Sequence, residues 1–184
     1  FAQEMAVGIK AGGNLANLTG DDSEENIRIG PAGGIMMDLD LLSLLSLHPE
    51  LLYSVKGANS DEDNSDAYVS LAYIEIPVLA KLNFQTGDDF SLGFMAGPYA
   101  GIKISETFAD AEGEVVDMED NAYKTLDFGL TVGAEAGFGN FCVQGGYSAG
   151  MMNIYEVPDG YPDNLDEPEV KTTNIFLAVG YYFE

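Results

Sequence analysis

The sequence predicts an all-β fold: an eight-stranded antiparallel up-and-down transmembrane β-barrel with short turns at one end and long acidic loops at the other. Three observations predict it. Apolar residues recur with a period of two, connections alternate between short and long, and charge is confined to one strand face and to the long connections. No run reaches the roughly 18 apolar residues that a membrane-spanning helix needs. We therefore expect any membrane-spanning segments to be strands.

Residues 126–138 show the alternation clearly, with Phe128 and Leu130 on one face and Gly129 and Thr131 on the other. Residues two apart in a strand point to the same side of the sheet. Many of the alternating segments exceed the roughly 5–6 residues of an average strand and suffice for the roughly 9–11 residues of a tilted membrane strand. The predicted strands are residues 4–18, 27–40, 46–57, 67–84, 90–105, 122–138, 140–155 and 170–183.

The connections between these segments differ in length and charge. In an up-and-down barrel every second connection lies at the same end, and the short turns of outer-membrane barrels are periplasmic. The long connections carry 21 of the 31 acidic residues and no Lys or Arg, which predicts an acidic outer surface. The short connections lie near 41–45, 85–89 and 139–140, and the long ones near 19–26, 57–66, 106–121 and 156–169.

The two strand faces differ in a way that predicts which one meets lipid. One face carries charges of both signs and more than half of the 22 glycines, and the other carries almost no charge. Glycine weakens a solvent-exposed strand but suits a crowded interior, which the side chains of an eight-stranded barrel just fill. The apolar face, which includes Phe94, Ile102, Phe128, Leu130 and Leu177, is therefore expected to face lipid. The alternative is a soluble calyx-like barrel that binds a small apolar ligand, with this face inward.

Composition limits the classes of partner and site. The net charge of −24 argues against nucleic acid, whose phosphates would be repelled. Cys142 is the single cysteine, which excludes an internal disulfide and a Cys-rich metal site. The length of 184 residues fits one domain, residues 1–184. Residues 1–3 resemble the remnant of a signal-peptide cleavage site, which predicts an exported protein.

The charges on the predicted interior face form the main candidate site. In a narrow lumen, opposite charges are expected to satisfy one another as a structural network. The alternative is a narrow pore, or a gated path for protons or ions, for which eight strands leave little room. The predicted network is Lys10, Arg28, Glu50, Lys56, Glu75, Lys81, Lys103, Asp127 and Glu135.

Catalytic and metal chemistry receive less support. His48 is the only histidine, and Ser46 and Glu50 share its face, but spacing does not establish hydroxyl–imidazole–carboxylate geometry. A lipid-modifying enzyme is kept as an alternative, and no catalytic residue is expected. The acidic runs at 21–25 and 61–63 could bind Ca²⁺ or Mg²⁺, but neither has EF-hand spacing. We therefore expect no cofactor and no specific metal site.

Prolines interrupt several predicted strands. Pro31, Pro49, Pro77 and Pro98 each remove a donor from the ladder. An unpaired carbonyl is costly in lipid, so bulges are the expected accommodation. By parity, all four prolines are expected on the outward face.

Several segments resemble one known family. Residues 4–15, LHPELLYSVKG at 47–57, YIEIPVLAKL at 73–82, GPYAG at 97–101 and VGYYF at 179–183 resemble strands of the outer-membrane β-barrel family of porin-like and PorT-like proteins from Gram-negative bacteria. The resemblance implies an eight-stranded barrel in the outer membrane without shared catalytic residues.

The expected role follows from this architecture. We expect an envelope-structural protein, or one that acts in surface recognition or adhesion through its acidic extracellular loops. The expected partners are outer-membrane lipid, lipopolysaccharide bridged through divalent cations, and an extracellular or envelope protein whose identity the sequence does not give. No nucleic acid is expected, and the barrel is expected to be a monomer.

Overall fold

The computed structural model describes residues 5–20, 26–60, 66–87, 89–112, 114–116, 123–156 and 169–183. The predictions for residues 1–3 and for the acidic runs 21–25 and 61–63 concern residues outside these ranges. Within the described part of the chain, no helix has the length and apolar character needed to cross a membrane.

Nine strands of the described part of the chain form one sheet, and eight of them correspond to the predicted segments. The ninth, β6, has two residues and pairs with the end of β5 through Phe108 and Val116. The strands are β1 (Met5–Gly20), β2 (Asn26–Leu42), β3 (Leu45–Asn59), β4 (Tyr68–Gln85), β5 (Phe90–Ala109), β6 (Val115–Val116), β7 (Leu126–Phe138), β8 (Phe141–Gly150) and β9 (Val170–Phe183).

The sheet closes on itself as an antiparallel barrel. Each of β1–β5 pairs with its sequence neighbour, β5 pairs with β7, and β7–β9 continue the sheet. The ring closes where β1 pairs with β9, for example Ile9 with Tyr181. Closure leaves the eight long strands without an open edge, which a membrane-spanning sheet requires. The predicted eight-stranded antiparallel barrel is confirmed.

Short turns gather at one end of the barrel, which is called the short-turn end below. The turn between β2 and β3 is Ser43–Leu44, narrower than the predicted 41–45, because both strands extend further. The turn between β7 and β8 is Gly139–Asn140, where Gly139 has φ +58°, a conformation that suits a two-residue hairpin. The longer connections lie at the opposite, long-loop end.

Two predicted strand boundaries are wrong at the long-loop end. The predicted strand 122–138 begins at Leu126, and the predicted strand 140–155 ends at Gly150. The segment after β8 turns inward instead, because the Asn153 side chain accepts hydrogen bonds from the backbone N–H groups of Tyr155 and Val170. Ile154 is thereby completely buried.

The apolar face of the barrel points outward. On β7, Phe128 and Leu130 are 44% and 50% exposed, whereas Asp127 and Thr131 are 1% and 4% exposed. Leu177 on β9 is 64% exposed. A calyx that binds an apolar ligand needs the reverse arrangement, so the structure contradicts that alternative.

Three of the four prolines are accommodated without a bulge. Pro31 lies where the register between β2 and β3 shifts, whereas the pairing of Pro49, Pro77 and Pro98 continues in unchanged register. Pro77 is also buried and points inward, contrary to its assignment to the outward face. It follows Glu75 at a spacing of two, and that parity places it inside.

Glycines on the inner face make room for aromatic rings. A Cβ atom added at Gly129 would lie 2.6 Å from Cε1 of Tyr99, and one added at Gly146 would lie 2.6 Å from Cζ of Phe176. Both distances are shorter than van der Waals contact. The interior is therefore crowded enough to require glycine opposite these rings.

Cysteine accessibility tests the orientation of the two faces. In a Cys142→Ser background, we expect Phe128→Cys and Leu130→Cys to be quenched by a lipid-dissolved quencher, because both side chains point outward. Thr131→Cys and Ser148→Cys point inward and should escape that quencher. The measurement is fluorescence of a thiol-linked probe in liposomes. The reverse pattern would show that the faces are assigned the wrong way round.

Candidate functional site

Lys10 forms a buried ion pair with Glu50 in the half of the lumen nearer the short turns. Its Nζ donates to both carboxylate oxygens of Glu50, at 2.6 and 2.7 Å, and to Oε1 of Gln144 at 2.9 Å. The side chains of Lys10 and Glu50 are 6% and 3% exposed. All three ammonium protons have acceptors, so this buried charge is fully satisfied.

Lys81 holds two carboxylates from other strands. Its Nζ lies 2.6 Å from Oδ2 of Asp38 and 2.6 Å from Oε1 of Glu135. The other oxygen of Glu135 accepts hydrogen bonds from Gln144 at 2.7 Å and from the Tyr182 hydroxyl at 3.1 Å. Gln144 thus connects this group to the Lys10 pair.

His48 joins the two lysine groups. Its Nδ1 lies 2.8 Å from Oδ1 of Asp38, and its Nε2 lies 2.8 Å from Oε1 of Glu50. An ionised carboxylate only accepts, so both ring nitrogens donate and the ring is an imidazolium. Three cations then balance three carboxylates. The short-turn cluster consists of Lys10, Asp38, His48, Glu50, Lys81, Glu135 and Gln144.

The candidate hydrolase residues do not form a catalytic triad. Both ring nitrogens of His48 face carboxylates, which leaves no lone pair to take a proton from a hydroxyl. The Ser46 hydroxyl accepts a hydrogen bond from Asn83 at 2.8 Å and lies 3.5 Å from Asp38. The contacts of His48 are those of a charge bridge.

A second cluster lies nearer the long loops. The Lys56 ammonium contacts Glu75 and lies 3.5 Å from Oδ2 of Asp127. The same Asp127 oxygen accepts hydrogen bonds from the Tyr99 hydroxyl at 3.0 Å and the Thr172 hydroxyl at 2.8 Å. Lys56 also sits 4.4 Å from the centre of the Tyr99 ring. The long-loop cluster consists of Lys56, Glu75, Tyr99, Asp127 and Thr172.

Two of the predicted network residues lie apart from both clusters. Lys103 contacts Glu106 and the backbone carbonyl of Tyr123. Arg28 donates to Asn59 at 3.1 Å and stacks 3.8 Å from the Tyr68 ring centre. The other seven residues of the predicted set occur in the clusters.

Apolar side chains close the lumen above the long-loop cluster. Leu18, Leu71, Tyr73 and Ile154 are each at most 1% exposed and pack together with Ala58. Ile154 comes from the segment that follows β8, whose backbone bonds to Lys124 and Val170. This apolar cap therefore seals the interior from the long-loop side.

A small cavity separates the two clusters. Its volume is about 40 Å³, enough for a few water molecules. Uncharged polar groups form part of its wall, beside apolar ones: Asn174 donates to Asn14 at 3.0 Å, Asn14 donates to Ser54 at 2.9 Å, and the Thr131 and Ser148 hydroxyls lie 2.8 Å apart. The lumen is thus filled in layers, charged, neutral and charged.

Sequence reasoning missed several members of the clusters. Asp38, Gln144, Tyr99 and Thr172 belong to the clusters but not to the predicted network, and their inward parity is the signal that could have found them. Their partners lie on distant strands; Lys10 and Gln144 are 134 residues apart in the chain. Within the described ranges, no group of three or more His, Cys, Asp or Glu residues is placed to hold a metal ion.

Removing one buried lysine should cost far more stability than removing an exposed one. Lys81→Met leaves Glu135 buried without a cation and Asp38 with His48 alone, and we expect a loss of about 3–5 kcal/mol in the free energy of unfolding. Lys171→Met removes an exposed pair with Glu169 and should cost less than about 1 kcal/mol. Urea unfolding in detergent micelles measures the free energy of unfolding of both variants. Equal losses would show that the buried ion pairs of Lys81 contribute no more to stability than the exposed pair.

Comparisons with known proteins show the family to which this barrel belongs. Ail, the attachment invasion locus protein of Yersinia pestis, solved in complex with the heparin analogue sucrose octasulfate, is 15% identical over 100% of both chains, with a TM-score of 0.49. Neisserial surface protein A is 14% identical over 97% of both chains, with a TM-score of 0.50. No curated protein matches the sequence. The model of the outer membrane protein β-barrel domain matches residues 1–156. This chain therefore belongs to the outer membrane protein β-barrel domain family, and it lies in the outer membrane.

Proposed function

We propose that this protein is a closed outer-membrane scaffold that displays four long acidic loops for recognition or adhesion at the cell surface. One observation carries the proposal: ion-paired and apolar side chains fill the lumen between a mid-barrel cavity of about 40 Å³ and a cavity of about 360 Å³ at the short-turn end. A barrel without a passage does not act by transport through its interior. Its activity then lies in its loops or in its effect on the envelope.

The filled lumen argues against a pore. A hydrated ion would have to displace the short-turn cluster, in which Lys10 and Lys81 each bind a buried carboxylate at 2.6 Å. Separating such pairs leaves uncompensated charge in a low-dielectric interior, which is strongly unfavourable. The apolar cap, which includes Ile154, adds a second barrier that consists mainly of apolar side chains.

The loops supply the chemistry for recognition. The connections at the long-loop end contain most of the 31 acidic residues and one base, Lys124, so their partners must present positive charge or carry bound cations. Lipopolysaccharide is anionic, and divalent cations can bridge its phosphates to carboxylates. Loops also vary freely in sequence without disturbing the strands that hold them.

Planar-bilayer recordings test the closed lumen. We expect no stable single-channel conductance from the wild-type protein, because two charged layers and the apolar cap block the passage. Ile154→Ser removes one side chain of the apolar cap and leaves both clusters, and this variant should also remain closed. Steady conductance in the wild type would overturn the proposal in favour of a narrow pore.

Neutralising one loop tests the role of acidity. In the variant Asp21→Asn/Asp22→Asn/Glu24→Gln/Glu25→Gln, we expect several-fold weaker Mg²⁺-dependent binding of lipopolysaccharide to the protein in nanodiscs. Asp89→Asn, in a short turn at the opposite end, is the matched control and should bind like the wild type. Binding that is unchanged by chelation of Mg²⁺ or by the four substitutions would contradict a cation-bridged loop contact.

A further inference from the structure

The long-loop cluster has an unbalanced charge. Glu75 and Asp127 are 6% and 1% exposed, and Lys56 is the cation that contacts both within the described residues. Lys103 lies higher in the barrel and contacts Glu106. The short-turn cluster, by contrast, contains three cations and three carboxylates. One negative charge is therefore left over in a part of the lumen that is sealed by apolar side chains, and buried charge is unfavourable without a partner.

Four buried oxygen atoms in this region have no hydrogen-bond partner among the described residues: the Tyr73 hydroxyl, Oε1 of Glu75, Oδ1 of Asp127 and Oδ1 of Asn174. Oε1 of Glu75 contacts the Lys56 ammonium as an ion pair, and Asp127 and Asn174 are 1% and 4% exposed. Buried acceptors in folded proteins are almost always matched by a donor or a cation. Asn174 is uncharged and lines the cavity, so its free oxygen is a sign of a ligand that is independent of the acidic pair.

Oxygen-bearing side chains form part of the wall of the cavity beside Glu75, and apolar groups form the larger part. Glu75, Asn174, Ser54, Thr131 and Ser148 all contribute to its wall. Carboxylate, amide and hydroxyl oxygens are the ligands that hard cations prefer. A volume of about 40 Å³ holds one small ion with one or two water molecules.

Lys10 also lines the cavity, on the side of the short turns. Its charge does not compensate the long-loop cluster, because its three protons bind Glu50 and Gln144. It therefore bounds the cavity as part of a neutral cluster.

We propose that the mid-barrel cavity binds one monovalent cation of about the size of sodium. Glu75 and Oδ1 of Asn174 are its ligands, water completes its shell, and the neighbouring Asp127 adds attraction. The excess of a single negative charge selects a monovalent ion over a divalent one. The ion replaces the missing positive charge of the long-loop cluster and links the layers of the lumen.

The site lies between the short-turn cluster and the apolar cap, so the ion enters as the barrel folds. The test therefore compares protein refolded from urea into detergent in NaCl with protein refolded in choline chloride at equal ionic strength. We expect the ratio of folded to unfolded protein to be about tenfold higher in NaCl when the salt concentration is about ten times the Kd. Choline is too large for the cavity.

Two variants locate the effect. Glu75→Gln removes the excess charge and Asn174→Val removes the free oxygen, and each should abolish the difference between sodium and choline. Glu169→Gln changes an exposed acid that pairs with Lys171 and should retain it. A difference that survives both interior substitutions would overturn the proposed ligands.

A direct measurement on the wild type does not depend on whether the variants fold. Crystals of protein refolded in rubidium or thallous salts should show one anomalous-scattering peak in the cavity, next to Glu75. Equal stability in sodium and choline, with no such peak, would overturn the proposal and indicate a proton or water alone at this place. This result would leave the closed scaffold and its loops untouched, because the bilayer recordings test those separately.

Discussion

The pairing of buried charges inside a lumen of fixed width is the constraint on which the rest of this structure depends. Eight strands that close into a ring set a radius that side chains just fill. Lys10, Lys81 and Lys56 project into that space, and each meets a carboxylate from another strand. The backbone hydrogen bonds connect each strand only to its two neighbours in the sheet. The ion pairs of Lys10 and Lys81 also connect strands that are not neighbours, and they therefore help to fix the relative positions of those strands.

The same period of two governs the inside and the outside. Along β7, Asp127 and Thr131 fill the lumen while Phe128 and Leu130 face outward. A slip of one residue would place charge in lipid and apolar side chains against the ion pairs, so both faces oppose it. Glycine completes the interior where rings need space, as at Gly129 beside Tyr99. The strand register that packs the interior is therefore also the register that presents apolar side chains to lipid.

Because its interior is filled with layers of side chains, the protein is expected to interact with other molecules at its surface. The balanced cluster around His48, the neutral polar layer and the apolar cap together leave no continuous passage through the described part of the barrel. A residue that first suggests catalysis, His48, is held between two carboxylates and strengthens the filling of the lumen. Chemistry that involves other molecules must then take place at the long-loop end, where most of the acidic residues are found.

The strands, their order and their inner and outer faces could be predicted from the alternating pattern, because it has a single period and a closed barrel has a single simple connectivity. The same pattern predicts that Lys10, Glu50 and Lys81 share the inner face. Which interior groups meet could not be predicted, since the contact of Lys10 with Gln144 depends on the shear of the barrel. Only the tertiary structure decided that Ile154 leaves its predicted strand. In this segment the burial of Ile154 and the hydrogen bonds to Asn153 outweigh the local alternating pattern. The burial of Ile154 and the hydrogen bond from Val170 involve residues distant in the chain, so they could not be predicted from the neighbouring residues.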